Sequence, residues 1–471
     1  MVMASADAVR LANDLIDKHN TRLQPDQLYG KVQRYLRGDQ DLPYMPKGAK
    51  IEYKRLAQKS ITNWLPLIPD TFAKGLFVDG YRPAKQADNS PAWEYWQANG
   101  MDARQVVAHR GALEYGTAYV LVLPGEPTPL IRPIPATKAM AFYEDDDADW
   151  PEYGLIYRGE SLDGSRLYDL LDSEAVYRVV KPRGEENTRI ASVEIHGLGV
   201  TPLVRFRDRL DGEAVGVVAP LIQIQDRINE VVFTLMIALQ YGAFRQRWAT
   251  GMVIPEEEIL DEETGEVIGY RPVEPFKAAI DRLWVTDNPE AKFGEFGQTD
   301  VRGHLDAYQS TVKTLASVAQ VSPTVLLGDL VNLSAEALAA VTDTTQRKIS
   351  EYETLFGESW EQVFRLASLA AGDVDGANDT SAQVRWRDTE ARSLAQTVDA
   401  LGKMAQMLMV PVEELWSRIP GVTEQDVQRW REAAGRADGL SALAEALTRQ
   451  STPIQEQPTE AQGEAQPEAG G

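Results

Sequence analysis

Apolar side chains change their spacing three times along this chain, and each change marks a different kind of element. Residues 1–110 read as mostly helical. Within them, "SPAWEYWQANGMDARQVVAHRGALEYG" predicts a helix pair, with Ser90 as a cap and Pro91 at the first helical position. From 115 to 210 the period shortens. "GTAYVLVLPG", "PLIRPIP", "EYGLIYRG", "EAVYRVVKPRG" and "TPLVRFRD" are short β-branched and aromatic runs bounded by Gly, Pro and Asp, the signature of strands. This half reads as an α+β domain.

Then long helical stripes begin. Between Val215 and Trp248, Leu221, Ile224, Ile228, Val231, Leu235 and Ala238 alternate spacings of three and four, so they line one helix face. Between Asp300 and Gln320, Val301, Leu305, Tyr308, Val312, Leu315 and Ala319 do the same. At the standard rise these helices run roughly 50 Å and roughly 30 Å. Gly251 to Gln298 lies between them and is different in kind. It holds twelve carboxylates against Arg271, Lys277, Arg282 and Lys292. Its "VIP", "EVIGYRPV" and "RLWVTD" pieces predict short strands around an "EETGE" turn. A lone hairpin of that length leaves part of its stripes uncovered, so it needs neighbours within the chain or from other copies.

A short apolar loop follows, "PTVLLGDLVNL", and then another long helix with Ser334 as its expected N-cap. Leu338, Val341, Thr345, Ile349, Tyr352, Phe356, Trp360, Val363 and Ala367 share one face of it, and Gly357 is a candidate kink. It reaches about Ala371, roughly 57 Å. "AGDVDGANDTS" reads as a loop, "AQVRW" as one more strand, and 388–450 as helical with breaks at Pro411 and Pro420-Gly421. Residues 451–471 form a low-complexity acidic tail with too few apolar groups to order itself.

Composition narrows the function classes. The chain has 471 residues and a formal charge of −23, which argues against broad gripping of phosphates but not against letting DNA pass. It has no cysteine, which removes disulfides, thiolate metal sites and Cys nucleophiles and fits a reducing compartment. No secretory signal is evident, and the longest uncharged apolar stretch, Val231 to Phe244, is too short to span a bilayer. No phosphate-binding glycine loop or nucleophile elbow occurs, so the chain is not itself a motor. His19, His109, His196 and His304 lie far apart and read as structural or surface residues. No cofactor and no metal is expected.

Three readings remain open. Glu144 to Asp149, "EDDDAD", offers carboxylates for a metal-dependent nuclease, or it is a solvated turn, since adjacent Asp side chains point in different directions. The stripes fit the core of a monomeric helical scaffold protein, or the contacts of a ring. The carboxylates Glu256, Glu257, Glu258, Asp261, Glu262, Glu263 and Glu266 fit a solvated face, or a surface for a partner.

The order helix, knob, helix, loop, long helix resembles that of portal proteins of tailed double-stranded-DNA bacteriophages. Six strings are similar to the actinobacterial-phage branch of that family: "NWLPLIPDTFAKGLFVDGYR" (63–82), "GTAYVLV" (116–122), "HGLGVTPLVRFRDR" (196–209), "AFRQRWATGM" (243–252), "VNLSAEALAAV" (331–341) and "FGESWEQVFRLA" (356–367). The resemblance covers about residues 10 to 445. It implies a mainly helical α+β portal-type fold assembled as a ring of twelve subunits at one capsid vertex, without enzymatic activity. It implies a wing at 1–215 and 334–388, stem helices at 216–250 and 299–320, a clip at 251–298, a tunnel loop at 321–333, a helical crown at 389–448 and a disordered tail at 449–471. The stem packing residues are then Leu221, Ile224, Ile228, Val231, Leu235, Val301, Leu305, Tyr308, Val312 and Leu315. The clip carboxylates named above become a docking face. In the tunnel loop, Leu326, Leu327, Gly328, Asp329, Leu330, Val331, Asn332 and Leu333 project toward the bore; the other reading is an ordinary buried turn. The implied partners are other copies of the chain, duplex DNA passing without sequence readout, the terminase large subunit, the major capsid or scaffold protein and a head–tail adaptor, with no membrane. The implied location is the virion, after assembly in the host cytoplasm.

Overall fold

The computed structural model describes residues 2–48, 50–83, 90–242, 247–251, 256–260, 267–272, 290–295, 301–328, 335–387, 394–416, 418–419, 421–422 and 425–436. The chain opens with α1 (Ser5–Arg22), α2 (Leu28–Arg37), α3 (Ile51–Lys59) and α4 (Leu67–Gly75), then β1 (Val78–Arg82), α5 (Ala92–Ala98) and α6 (Met101–Tyr115). The last two are the expected helix pair. Ser90 Oγ accepts the Ala92 N–H at 3.3 Å, and Gly100, in left-handed conformation at φ 60°, turns the chain between them.

Two antiparallel sheets follow. β2 (Thr117–Leu123), β3 (Leu130–Ile134), β4 (Ala139–Phe142), β5 (Tyr153–Glu160), β6 (Arg166–Leu171), β7 (Ala175–Lys181), β8 (Arg189–Ile195) and β9 (Leu203–Arg207) are the strands. The order is β3-β2-β9 in one sheet and β4-β5-β6-β7-β8 in the other. α1 covers one face of the larger sheet, with Ala8, Ala12, Leu15 and Ile16 packed on Leu155, Tyr168, Leu170 and Tyr177. The alternate side chains of these strands meet the smaller sheet, where Ile156, Leu171 and Val176 pack on Tyr119, Leu121 and Leu203.

The helical stripes come next. A 3₁₀ turn, Ala219–Leu221, leads into α7 (Ile222–Gly242), and β10 (Arg247–Thr250) begins soon after. The single helix expected from Val215 to Trp248 is therefore shorter at both ends. Pro220 lacks the N–H a helix interior needs, and Gly242 is a poor helix former. Trp248 instead pairs in register with Gly294 of β13 (Lys292–Glu295). Between them, β11 (Glu256–Leu260) and β12 (Val267–Pro272) form a hairpin that places Glu257 opposite Arg271. The "EVIGYRPV" strand is thus present. "VIP" and "RLWVTD" lie outside the described residues.

The chain returns through α8 (Arg302–Ala319) and α9 (Pro323–Leu327) to α10 (Ala335–Ala370), then α11 (Val374–Asn378), β14 (Gln383–Trp386), α12 (Leu394–Leu408) and α13 (Val412–Trp416). α11 replaces part of the expected 371–381 loop, because the Asp373 carboxylate caps it by accepting the Gly376 N–H at 3.0 Å. β14 pairs antiparallel with β1, joining the two ends of the body.

α10 has 36 residues, about 54 Å at the standard rise. Ile349, Tyr352, Phe356, Trp360, Val363 and Ala367 are buried along it as the stripe predicts, and Phe364 joins them. Gly357 brings the helix against Trp386, whose Nε1 lies 3.6 Å from where a Cβ would stand. Trp360 sits edge-on to Trp96 at 4.9 Å and to Phe206 at 4.7 Å, while Phe364 stacks on Tyr81 at 4.2 Å. The Trp360 Nε1–H donates to His109 Nε2 at 2.8 Å, and the imidazole stacks on Phe356.

Burial pushes the His109 imidazole down to about 3, against a smaller opposing pull from the Leu76 backbone. Below its ordinary value of 6.5 the unfolded chain therefore takes up a proton that the folded chain refuses. Stability falls as pH drops from 6.5, at about 1.4 kcal/mol per pH unit for one such group. Glu114, raised to about 7 by burial, has the opposite slope between its ordinary 4.5 and 7, so the test is a difference. His109→Gln keeps an acceptor for Trp360. Its urea midpoint should fall less than the wild type's between pH 6.5 and 5. Parallel curves for the two proteins would show that His109 does not titrate this way.

Candidate functional site

The α7–α8 hairpin leaves the body at a turn that only glycine can make. Gly116 and Gly216 have φ of +83° and +75°. A Cβ on Gly116 would lie 2.3 Å from the Ala214 carbonyl carbon, and one on Gly216 would lie 2.8 Å from the Gly116 nitrogen. The Asp208 carboxylate accepts the Gly216 N–H at 3.1 Å and pins this crossing. Burial raises the Asp208 carboxyl, while Arg209 at 3.3 Å pulls it back down.

The hairpin root is held by a buried amide network. Gln225 Nε2 donates to the Thr62 carbonyl at 2.7 Å and to Asn229 Oδ1 at 3.0 Å, while Gln225 Oε1 accepts the Trp64 N–H at 3.1 Å. Asn229 Nδ2 donates to Gln40 Oε1 at 2.7 Å, and Gln40 Nε2 donates to Asn63 Oδ1 at 2.8 Å. Asn63 closes the chain onto the Tyr35 and Leu36 carbonyls. Nearby, the Tyr35 hydroxyl lies 2.7 Å from Asp226 and 3.0 Å from Asp41. Burial raises the Tyr35 hydroxyl and the Asp226 carboxyl. The visible sequence signal was Gln225 and Asn229, four residues apart on a mostly apolar helix. Their partners, 161 to 189 residues away, leave no local trace.

Burial along the two stripes falls from root to tip, while off them Val318, at the root end of α8, is 53% exposed. Leu221, Ile228, Phe233, Val312, Leu315 and Ala316 are buried in this chain. Ile224, Val231, Leu235, Val301 and Tyr308 are half-buried. Leu305 is 44% exposed and Leu239 is 50% exposed. The structure thus buries the root of the expected stripe in the chain's own body and leaves its distal part half-buried, with Leu305 of the stripe and Leu239 beside it exposed.

The loop after α8 starts as an ordinary cap. Ser322 Oγ accepts the Thr324 N–H at 3.3 Å, and the Ser322 N–H donates to Thr345 Oγ1 of α10 at 3.1 Å. Leu326 is buried in this chain's own core and Leu327 packs beside it, so Leu326 needs no neighbouring copy to leave water. Gly328 ends α9 in left-handed conformation at φ 68°. Asp329, Leu330, Val331, Asn332 and Leu333 lie outside the described residues.

Of the knob carboxylates, Glu257 is exposed and meets Arg271 at 2.7 Å, and Glu258 is exposed beside it. Glu256 starts β11; Asp261, Glu262, Glu263 and Glu266 lie outside the described residues. The run Glu144–Asp149 does not converge. Asp146 is held by Arg205 at 3.1 Å and Arg207 at 3.3 Å, and the Asp149 carbonyl accepts from Gln362. Among the described residues no three His, Asp or Glu side chains could hold a metal ion. His196 Nε2 donates to the Asp172 carbonyl, since its Nδ1 accepts the Leu198 N–H. Among the described residues no helix is long and apolar enough to cross a membrane.

The sequence profile of the phage portal proteins of the SPP1 Gp6-like type matches residues 13–440. The portal protein of Mycobacterium phage D29 is 25% identical over 359 residues, covering 72% of this chain and 71% of that protein. That of Mycobacterium phage L5 is 24% identical over 365 residues, with the same two coverages, 72% and 71%. Among solved structures, the neck of an empty gene transfer agent particle, computed with C6 symmetry, aligns at a TM-score of 0.43 and 12% identity over 76% of this chain and 90% of that one. A chain of the native gene transfer agent virion aligns at 0.42 and 12% over 79% and 96%. By the match over nearly its whole length, this chain belongs to the SPP1 Gp6-like family of phage portal proteins.

Proposed function

We propose that copies of this chain close into a ring of twelve around a bore through which double-stranded DNA enters and leaves a phage capsid. In this reading α7 and α8 are the stem and 251–298 the clip. Residues 321–333 form the tunnel loop, 1–215 with 334–388 the wing, 389–448 the crown and 449–471 an acidic tail. One observation carries it: an α7–α8 hairpin anchored at its root by buried amides but with Leu239 and Leu305 about half exposed toward its tip. Apolar groups left open on a rigid hairpin are what a heterologous, closing interface needs.

The dimensions are consistent. Roughly twelve helices at about 10 Å spacing trace a circle about 38 Å across their axes. Subtracting one helix width of about 10 Å leaves a bore of about 28 Å, wide enough for a duplex of about 20 Å. The charge of −23 per subunit keeps phosphate affinity low, so DNA slides without sticking and without sequence readout. The exposed clip carboxylates Glu257 and Glu258 belong to a face for the terminase large subunit and later the head–tail adaptor. The wing meets the capsid or scaffold protein. Assembly is in the host cytoplasm, ahead of incorporation into the virion. The nuclease alternative is disfavoured because Asp146 is already committed to Arg205 and Arg207.

Negative-stain micrographs of the purified protein test the ring. Closed rings with a central hole are expected. Monomers under all salt conditions, with and without the capsid or scaffold protein, would overturn it.

A further inference from the structure

This acidic chain carries a concentrated basic cleft. Two adjoining cavities, of about 480 and about 370 Å³, share Glu160 and Arg166 in their walls. The larger lies along the β5–β6 and β7–β8 turns and adds Lys181 and Arg183. The smaller lies where the end of α1 meets α2 and β5–β6, and it adds Arg37 and Lys138. Five cations thus face two carboxylates, Glu160 and Glu185, and Glu160 is taken by Arg166 at 3.4 Å. Lys181 has only a 4.0 Å contact with Asp17. Among the described residues Arg37, Lys138 and Arg183 have no acidic partner.

Glu160 apart, the lining of the smaller cavity carries no acidic group. His19 lines the smaller cavity and is 3% exposed, yet neither of its ring nitrogens has a hydrogen-bond partner among the described residues. Both nitrogens are themselves closed to solvent, so the imidazole forms an uncharged floor beneath the cations. Carboxylates accepting from the guanidinium and ammonium groups of the cleft walls would offset this excess of positive charge.

We propose that this cleft docks an acidic peptide, and that the peptide is residues 451–471 of this chain or of a neighbouring copy. That segment has Glu456, Glu460, Glu464 and Glu468 and no Lys or Arg. In an extended chain, residues four apart are about 13 Å from each other, which suits cations spread over two cavities better than a single bound ion. Pro453, Pro458 and Pro467 favour such an extended chain over a helix. The proposal does not depend on ring closure, because the cleft lies wholly within one chain.

The chain has no cysteine, so disulfide trapping in the full-length protein has no background. Thr137→Cys in the cleft wall and Ala461→Cys in the tail remove no charge. Mild oxidation should join them, and denaturing electrophoresis with peptide mass mapping separates links within a chain from links between copies; either supports docking. Adding Arg37→Glu and Lys138→Glu, both at the cleft wall, should cut the yield about tenfold at low salt, and high salt should do the same in the parent. Unchanged urea midpoints show that the charge-reversed protein is folded. Absence of the disulfide, or an equal yield after charge reversal, overturns the proposal. So does a third outcome in the Thr137→Cys protein: its new thiol is protected from alkylation by a short DNA duplex but not by a synthetic 451–471 peptide, which assigns the cleft to nucleic acid.

Discussion

Leu239→Glu combined with Leu305→Glu should leave a folded chain that no longer closes into rings. Both side chains are about half exposed within one chain, so the substitutions remove little of its own core. Changes at such positions usually alter monomer stability by about 0.5 kcal/mol or less. In the proposed ring each leucine is covered by a neighbour, and burying the rest of it contributes on the order of 1 kcal/mol. Replacement loses that burial and places carboxylates in an interface that excludes water, at a cost of several kcal/mol more. With two such sites per interface the loss is at least about 6 kcal/mol, so association should weaken by roughly ten-thousandfold or more. Mass photometry should show rings for the wild type and monomers for the double variant, with matching circular dichroism. Leu162→Glu, on the fully exposed β5–β6 turn, is the control that should still form rings. Rings from the double variant at wild-type concentration would remove the hairpin from the subunit interface.

The stripes of this hairpin were legible because their period is local: spacings of three and four identify a helix wherever the face is buried. Their ends were not. Trp248 continues the apolar rhythm yet belongs to β10, because its pairing with β13 reaches across more than forty residues. β4, β6 and β8 escaped for a related reason. In "RIASVEI" the outward and inward residues differ little in polarity, since β8 is an exposed strand paired only with β7. β1 was hidden among helices because its partner β14 lies some three hundred residues on. For Leu326 the sequence left two readings, projection toward the bore or an ordinary buried turn, and the burial of that one residue in this chain's own core fits the second. The anchoring amides were visible as residues and unreadable as a network, because their meaning depends on Gln40, Thr62 and Asn63.

Trp360→Ala should be among the most damaging single substitutions in the chain. Its indole is fully buried between Trp96 and Phe206, and truncation of such a ring costs about 3–5 kcal/mol through lost burial and an unfilled cavity. It also deprives His109 Nε2 of its donor, and an orphaned buried acceptor costs about 1–3 kcal/mol. These terms compete with a total stability of about 5–15 kcal/mol for a typical domain. Trp360→Phe separates them, since it restores much of the packing but not the donor. The urea midpoint should fall steeply for the alanine variant and by a smaller step for phenylalanine. In a His109→Leu background the step from Trp to Phe should shrink, because no acceptor is left to orphan. The effect reaches beyond the core. α10 joins the segment after α9 to the sheets, and Thr345 on the same helix accepts the Ser322 N–H at the start of α9. Loosening α10 should therefore speed proteolysis near 321–333 as well as lower stability. An alanine variant within about 1 kcal/mol of wild type would mean that the cluster repacks around the gap, and that α10 is not held by this indole.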